Sequence, residues 1–266
     1  MAAFKIATWN INSVRLRIDL VTRFLADHAP DVLCLQETKT IDDTFPRAAF
    51  EKAGYGHMAL SGQKNHHGVA IVSRLPLVGI ERQDWCDKTD CRHMRARTES
   101  GIVIDNFYVP AGGDEPDPAV NEKFAHKLSF LEEMRDWSKG HSKPGQKAIL
   151  VGDLNVAPLE CDVWGHKQLL NVVSHTPAET TRLEAVMEAG QWVDAIRARV
   201  PPPEKLYTWW SYRSPDWTAN DRGRRLDHVW VSPALAGSIT DHLVLRDARA
   251  WEKPSDHVPV VVTLDA

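Results

Sequence analysis

The chain has no run of about 18 apolar residues, so no segment is long enough to cross a bilayer as a helix. Its opening, MAAFKIATWNIN, is apolar for only a few residues before Trp9, Asn10 and Asn12. That is shorter than the apolar stretch of about 7–15 residues in a secretory leader, so a cytoplasmic protein with no membrane partner is expected. Cysteine is scarce: Cys34, Cys86, Cys91 and Cys161, with no CxxC spacing. This argues against a disulfide framework and for reduced thiols, Cys34 sitting in the apolar run VLCLQ as a core residue. No glycine-rich phosphate loop is present, which disfavours an NTPase or a kinase. No low-complexity tract or Gly/Ser/Pro-rich linker divides the chain, and the PPP at 201–203 is local punctuation. A single domain over 1–266 follows as the expectation.

What is present suits a soluble globular fold: 266 residues, 43% hydrophobic and 26% charged, long enough to bury a core. The net charge of −4 argues against nonspecific polyanion binding by the whole surface, but net charge does not describe one face. Basic residues cluster in CRHMRAR (91–97) and DRGRR (221–225). Each cluster taken alone reads equally as solvated surface or as a phosphate-contacting patch.

Strand-like and helix-like runs alternate. KIATWNI (5–11), DVLCLQE (31–37), GVAIVS (68–73) and KAILVGDLNV (147–156) read as strands, and HMRARTESGIVIDNFYVP (93–110) as two strands around a Glu-Ser-Gly turn. Val14, Ile18, Val21 and Leu25 mark one helical face, with Ser13 as the expected N-cap. Further helices are expected over 121–137 and over 178–189, the latter closed by Gly190. LYTWW, LDHVWVS, HLVL and VPVVVTL suggest an all-β C-terminal third. Some strands follow one another directly and others are separated by helices. This mixture predicts an α/β fold with a mixed sheet or two stacked sheets and helices outside, not a parallel barrel.

Five apolar runs carry Asp, Glu, Asn or His at a terminus: WNIN (9–12), LQETK (35–39), GDLN (152–155), LDHVWVS (226–232) and SDHVPV (255–260). Singly, each has an ordinary explanation as an Asx turn, a solvated acid or an exposed strand face. Together they are the kind of set that rigid strand ends gather into one site. Convergence would assemble Glu37, Asp153, Asp227 and Asp256 with Asn10, Asn12, Asn155 and His257. Four carboxylates in one place require a cation. An oxygen-rich donor set with one imidazole and no thiolate suits Mg²⁺ or Mn²⁺. Metal-assisted phosphodiester hydrolysis is the natural reaction for such a site.

TWNINSVR, LQETK, YVPAGG, GDLNVAP, RLDHVWVS and SDHVPV, in this order from about residue 4 to residue 264, resemble the exonuclease III family of DNA repair nucleases, the class II AP endonucleases of the endonuclease/exonuclease/phosphatase superfamily. The resemblance implies a DNase I-like, four-layered sandwich of two mixed β-sheets flanked by helices. It implies a Mg²⁺-dependent monomer acting on double-stranded DNA that is abasic or carries a blocked or recessed 3′ end. Its activities would be 3′→5′ exodeoxyribonuclease, AP endonuclease and 3′-phosphatase or phosphodiesterase. By the same resemblance Glu37 is the principal metal ligand, with Asn10, Asn12, Asp256, Asp153, Asn155 and His257 around the cation. Asp153 is the acid/base carboxylate, and Asn155 orients the phosphate or nucleophile. Asp227 holds and polarises His257, and Tyr108 contacts the scissile phosphate or the leaving group. His228 is expected to point away.

DNA contacts are expected from Arg92 and Arg95, with Arg97 beside them, and from Trp209, Leu226 and Arg224. Trp209 and Leu226 would line a pocket for a base-free sugar. The chain departs from the family pattern at Ala111, where many relatives carry Asn, and at Arg224, where relatives often carry an apolar or aromatic residue. The acidic DEPDP loop (114–118) and segment 161–178 also bear on substrate choice. Two other readings stand beside this one: a superfamily phosphoesterase for inositol phosphates or phospholipid head groups, and a catalytically silent DNA-binding protein.

Overall fold

The computed structural model describes residues 3–140, 145–214 and 216–265. One six-stranded sheet contains β1 (Ala3–Asn10), β2 (Val32–Gln36), β3 (His57–Ser61), β4 (Val69–Ser73), β11 (Ile239–Val244) and β12 (Val260–Asp265), in the order β11-β12-β1-β2-β4-β3. The other contains β5 (Leu77–Arg82), β6 (His93–Thr98), β7 (Val103–Tyr108), β8 (Ala148–Asp153), β9 (Val193–Asp194) and β10 (Asp227–Val231), in the order β5-β6-β7-β8-β10-β9. Each sheet has one parallel pair at its centre, β1 with β2 and β7 with β8, and antiparallel neighbours on both sides. A parallel pair needs a crossover. Helix α1 (Ile18–His28) supplies the first and α3 (Glu122–Ser138) the second.

The sheets pack face to face. Ile6, Val32, Ile71 and Val262 of one meet Ala96, Ile104, Val151 and Val229 of the other in a single buried cluster. These are the alternate residues of near-continuous apolar strands, as expected when both faces are covered. The outer faces are covered in turn. Trp9, Leu33 and Leu35 pack under α1 and α2 (Arg47–Lys52), while Phe107, Leu150 and Trp230 pack under α3 and α5 (Pro177–Ala189). Four layers result, the architecture the resemblance implied. Short helices α4 (His166–Leu169), α6 (Trp217–Asn220) and α7 (Pro233–Ala236) complete the fold. Among the described residues no helix is long and apolar enough to cross a membrane.

Three local expectations need correction. Helix α1 starts at Ile18, and Ser13 does not cap it. Instead Ser13 and Val14 donate their backbone N–H groups to the carbonyls of Glu37 (2.7 Å) and Thr38 (3.2 Å), which prolongs the contact between the chain ends leaving β1 and β2. The segment LYTWW forms no regular strand; Trp209 makes isolated bridges to Arg224 and His257. The C-terminal third is not all β, since α6 and α7 interrupt it. The helices over 121–137 and 178–189 formed as read. Asn121 caps the former through its side chain, and Thr176 with Glu179 forms a capping box on the latter.

Candidate active site

The topology explains why polar groups collect at one rim. The parallel pairs β1–β2 and β7–β8 both end there, placing Asn10, Glu37, Tyr108 and Asp153 at carboxyl ends of strands, where α/β proteins commonly bind ligands. The antiparallel neighbours begin where those strands end. Asp227, the first residue of β10, therefore pairs directly with Asp153, and His257 lies just ahead of β12. The Ser-Asp-His turn is tied to β1: Ser255 Oγ donates to the Asn10 carbonyl (2.7 Å) and Trp9 Nε1 to the His257 carbonyl (3.1 Å).

The polar groups form one connected network. Asn10 Nδ2 donates to Glu37 Oε1 and to Asp153 Oδ2, each at 2.9 Å. The Tyr108 hydroxyl donates to Glu37 Oε1 (2.9 Å), and Lys39 Nζ pairs with Glu37 Oε2 (2.7 Å) while donating to Asn12 Oδ1 (2.6 Å). Asn155 Nδ2 donates to Asp153 Oδ2 (3.1 Å) and to the Val109 carbonyl (2.9 Å). His257 Nδ1 lies 2.8 Å from Asp227 Oδ2, and its Nε2 lies 3.7 Å from Asp153 Oδ2. Thr208 Oγ1 donates to Asp227 Oδ2 (2.6 Å) and accepts the backbone N–H of Asp227 (3.1 Å). Asp256 accepts from Asn12 (3.3 Å) and from Trp209 Nε1 (3.0 Å). His228, by contrast, faces away, its Nε2 against the Val156 carbonyl (2.9 Å). Asn12, Glu37 and Asn155 all have φ near +50°. Such conformations cost about 1–3 kcal/mol each and persist where the surroundings over-determine them.

Burial and mutual charge set the protonation states. Burial alone would lower the His257 pKa, but the Asp227 and Asp153 carboxylates outweigh it and push it up to about 10. These carboxylates favour the protonated ring, whose Nε2 faces Asp153 in the cleft. Burial, helped by Asp227 and Glu37, pushes Asp153 up to about 7 against the pull of His257 and Asn10. Burial would also raise Glu37, yet Lys39, Asn10 and His257 hold it below the usual carboxylate range. Burial and the Glu37 carboxylate keep the Tyr108 phenol protonated well above its ordinary range.

The donor set fits a divalent cation. Among the described residues, Lys39 pairs with Glu37 and His257 with Asp153 and Asp227, while one oxygen of the buried Asp227 carboxylate has no hydrogen-bond partner. Asp153, Asp227 and His257 offer ligand atoms within 4.8 Å of one another. Asp227 holds His257 through Nδ1, which leaves Nε2 facing the cleft, where it can meet the cation or a phosphate oxygen.

The cleft above these groups has a volume of about 710 Å³, and Trp209, Leu226 and Arg224 are among the residues that line it. Arg224 is anchored, however: it donates to the Val173 carbonyl (2.8 Å) and Ser174 Oγ (2.7 Å) and lies 5.3 Å over the Trp209 ring. Arg92 and Arg95 are spoken for by the protein rather than presented to DNA. Arg92 is buried, pairs with Asp90 and lies 4.8 Å over the Tyr108 ring. Arg95 forks onto Asp105 with two 2.9 Å bonds and covers Trp137 on the outer face. The clustering of basic residues in 91–97 could not reveal these acidic partners. Sequence reasoning missed Lys39 and Thr208, although both stand inside motifs it singled out.

It also missed Lys127, fully buried on α3. Lys127 Nζ pairs with Glu179 and donates to the carbonyls of Asn155 (2.7 Å) and Ala111 (3.3 Å). The available signal was a lysine on the apolar stripe of Phe124, Leu128, Leu131 and Met134.

Comparison with known proteins agrees with this geometry. A family model described as the endonuclease/exonuclease/phosphatase family matches residues 7–257. Exodeoxyribonuclease III of Haemophilus influenzae is 31% identical, the alignment covering 96% of this chain and 98% of that protein. An AP endonuclease structure from Archaeoglobus fulgidus superposes with a TM-score of 0.91 at 34% identity, covering 99% of this chain and all of that one. The structure of a 3′ phosphatase from Neisseria, NExo, bound to a product DNA hairpin gives 0.90 at 32% identity, with the same coverage. With the family model spanning almost its whole length and its six motifs gathered at one rim, the chain belongs to the endonuclease/exonuclease/phosphatase family.

Proposed function

We propose that the protein is a Mg²⁺-dependent DNA repair nuclease that hydrolyses phosphodiesters of duplex DNA. It would act as a 3′→5′ exodeoxyribonuclease, as an AP endonuclease cutting 5′ of abasic sites, and as a 3′-phosphatase or phosphodiesterase. The observation that carries the reading is the position of His257. Asp227 fixes one ring nitrogen, and the other points toward Asp153 in a cleft lined by Glu37, Asn155 and Asp256.

A phosphodiester repels an incoming hydroxide. The imidazolium of His257 offsets that charge, and Asp227 stabilises the cation and holds the ring in the orientation that presents Nε2. Asp153, whose pKa of about 7 suits proton exchange at neutral pH, accepts a proton from the attacking water or supplies one to the leaving oxygen. Asn155 and Tyr108 orient the phosphate. Glu37, together with Asn10 and Asp256, would hold Mg²⁺, for which Mn²⁺ can substitute. When bound, the ion supplies charge neutralisation at the phosphate.

The test is turnover of Asp153→Asn and His257→Ala on three duplexes: internally abasic, blunt-ended and 3′-phosphorylated. Both variants should keep the wild-type circular dichroism spectrum and lose at least about 10²-fold in rate, the usual effect of removing one such group. Near-normal cleavage by either variant refutes the role assignment. Hydrolysis of a small phosphoester but of none of the duplexes would replace the substrate class.

A further inference from the structure

The catalytic rim continues into a second wall. Four irregular segments lie side by side: Val163 bridges Arg224, Arg224 bridges Trp209, and Trp209 bridges His257. Backbone bonds Trp164 N–Gly223 O (3.1 Å), Arg224 N–Trp209 O (3.0 Å) and Val258 N–Thr208 O (2.9 Å) hold them in that order. At about 4.8 Å per step, three steps set the segment of Val163 and Trp164 on the order of 14 Å from that of His257.

Two Trp–Arg stacks line the ribbon. Arg224 covers Trp209 at 5.3 Å, and Arg222 covers Trp164 at 4.7 Å. The outer stack differs from the inner one. Arg224 is anchored by Val173 and Ser174, whereas Arg222 is exposed and Trp164 is half-buried, and both line the same cleft as Asp153 and His257.

The cleft is larger than a base-free sugar requires. Its volume of about 710 Å³ falls in the range of about 300–1,000 Å³ that accommodates drug-sized ligands. The base of a nucleotide lies beyond its sugar, so a terminal nucleotide whose phosphate sits at His257 extends farther along this wall than a base-free sugar does. A guanidinium lying on an indole offers a flat, cationic face, the surface on which nucleobases stack irrespective of sequence.

We propose that Trp164 and Arg222 form a stacking platform for the nucleobase of a 3′-terminal nucleotide whose phosphodiester is held at Asp153 and His257. The subsite rests on the nuclease reading above and assigns the residues that hold the base when the cleft takes a terminal nucleotide. Arg222 and Trp164 are specificity-determining residues on this view.

The test compares two recessed duplexes that are identical except that the last nucleotide of one lacks its base. For wild type, Trp164→Ala and Arg222→Ala, the quantity measured is the ratio of kcat/KM on the base-bearing end to that on the base-free end. Loss of one stacking contact should lower this ratio by about 5–150-fold in each variant. A ratio that stays at the wild-type value overturns the platform. So does an equal loss on both ends that fades as salt is raised, which would make Arg222 a backbone-phosphate contact. Arg222 is exposed, so its truncation tests the idea even if Trp164→Ala is unstable. Inactivity of the wild type on both duplexes and on the three substrates of the previous section removes the nuclease reading itself. Wild-type activity with an unchanged ratio removes the platform alone.

Discussion

Replacing Lys127 with Met tests whether a buried ion pair holds the catalytic loops in place. Lys127 and Glu179 are both fully buried and pair with each other. The amine also donates to the carbonyls of Asn155 and Ala111. Glu179 accepts from Ser174 N (2.8 Å), Thr176 N (3.1 Å) and Thr176 Oγ1 (2.6 Å), and Ser174 Oγ in turn accepts from Arg224. One pair thus joins the turn after β8 to the loop that carries the pocket wall.

Met fills much the same volume but strands a carboxylate and leaves two carbonyls without this donor. Removing one partner of a buried pair costs about 3–5 kcal/mol. The three remaining donors on Glu179 place Lys127→Met toward the lower end. At about 2–4 °C per kcal/mol for a chain of roughly this size, the melting temperature should fall by about 6–12 °C for a loss near 3 kcal/mol. The assay is urea and thermal unfolding of Lys127→Met, Glu179→Gln and the double variant. With the stranded charge gone, the double variant should be more stable than the sum of the two single losses predicts, by about 1–3 kcal/mol. A single loss below about 1 kcal/mol, or strictly additive losses, would refute the reasoning.

Three further outcomes follow from particular contacts. Asp162 is fully buried and accepts from Arg225 Nε (2.7 Å) and Arg197 Nη2 (2.5 Å); these guanidiniums overcome its burial and hold its pKa below the ordinary value. A depressed carboxylate stabilises the fold above its unfolded pKa, and that contribution is lost as pH falls through the folded value. Asp162→Asn should therefore cost about 3–5 kcal/mol at pH 7, and urea titrations at decreasing pH should show the gap to wild type closing below the normal carboxylate range. Gly152 has φ +143°, and a Cβ there would lie 1.9 Å from the Phe107 carbonyl oxygen, so Gly152→Ala should cost about 1–3 kcal/mol and lower turnover by displacing Asp153; an unchanged melt would contradict it. Mg²⁺ at about 100 times its dissociation constant should stabilise the wild type by about 2.7 kcal/mol in thermal unfolding, and Glu37→Gln should lose most of that shift; an equal shift in both would remove Glu37 from the metal site.

How much of the fold the sequence displayed depended on burial. β2, β4, β8 and β10 are covered on both faces and read as continuous apolar runs. β5 is an exposed edge strand and β9 has only two residues, so neither leaves a periodic signature. Ser13 looked like a cap because Ser before an apolar stripe usually is one. The segment after β1 instead has partners beyond β2, a tertiary contact invisible to a local pattern.

The site divides along a different line. Residues that meet the cleft, such as Glu37, Asp153 and His257, announced themselves as titratable groups at strand ends. Those that hold them did not, because a supporting residue is recognised by its partner and not by its type. Arg92 and Arg95 looked like phosphate contacts until Asp90 and Asp105 appeared beside them. Thr208 looked like one more polar residue in a tryptophan-rich run until its hydroxyl was found on Asp227. The same reasoning separates the two outer arginines of DRGRR. Arg225 is fixed between Asp162 and Asp194, and Arg222 lies on Trp164 at the cleft wall. Identical side chains three residues apart thus take opposite parts, one stiffening the approach to Asp227 and the other left exposed to meet a ligand.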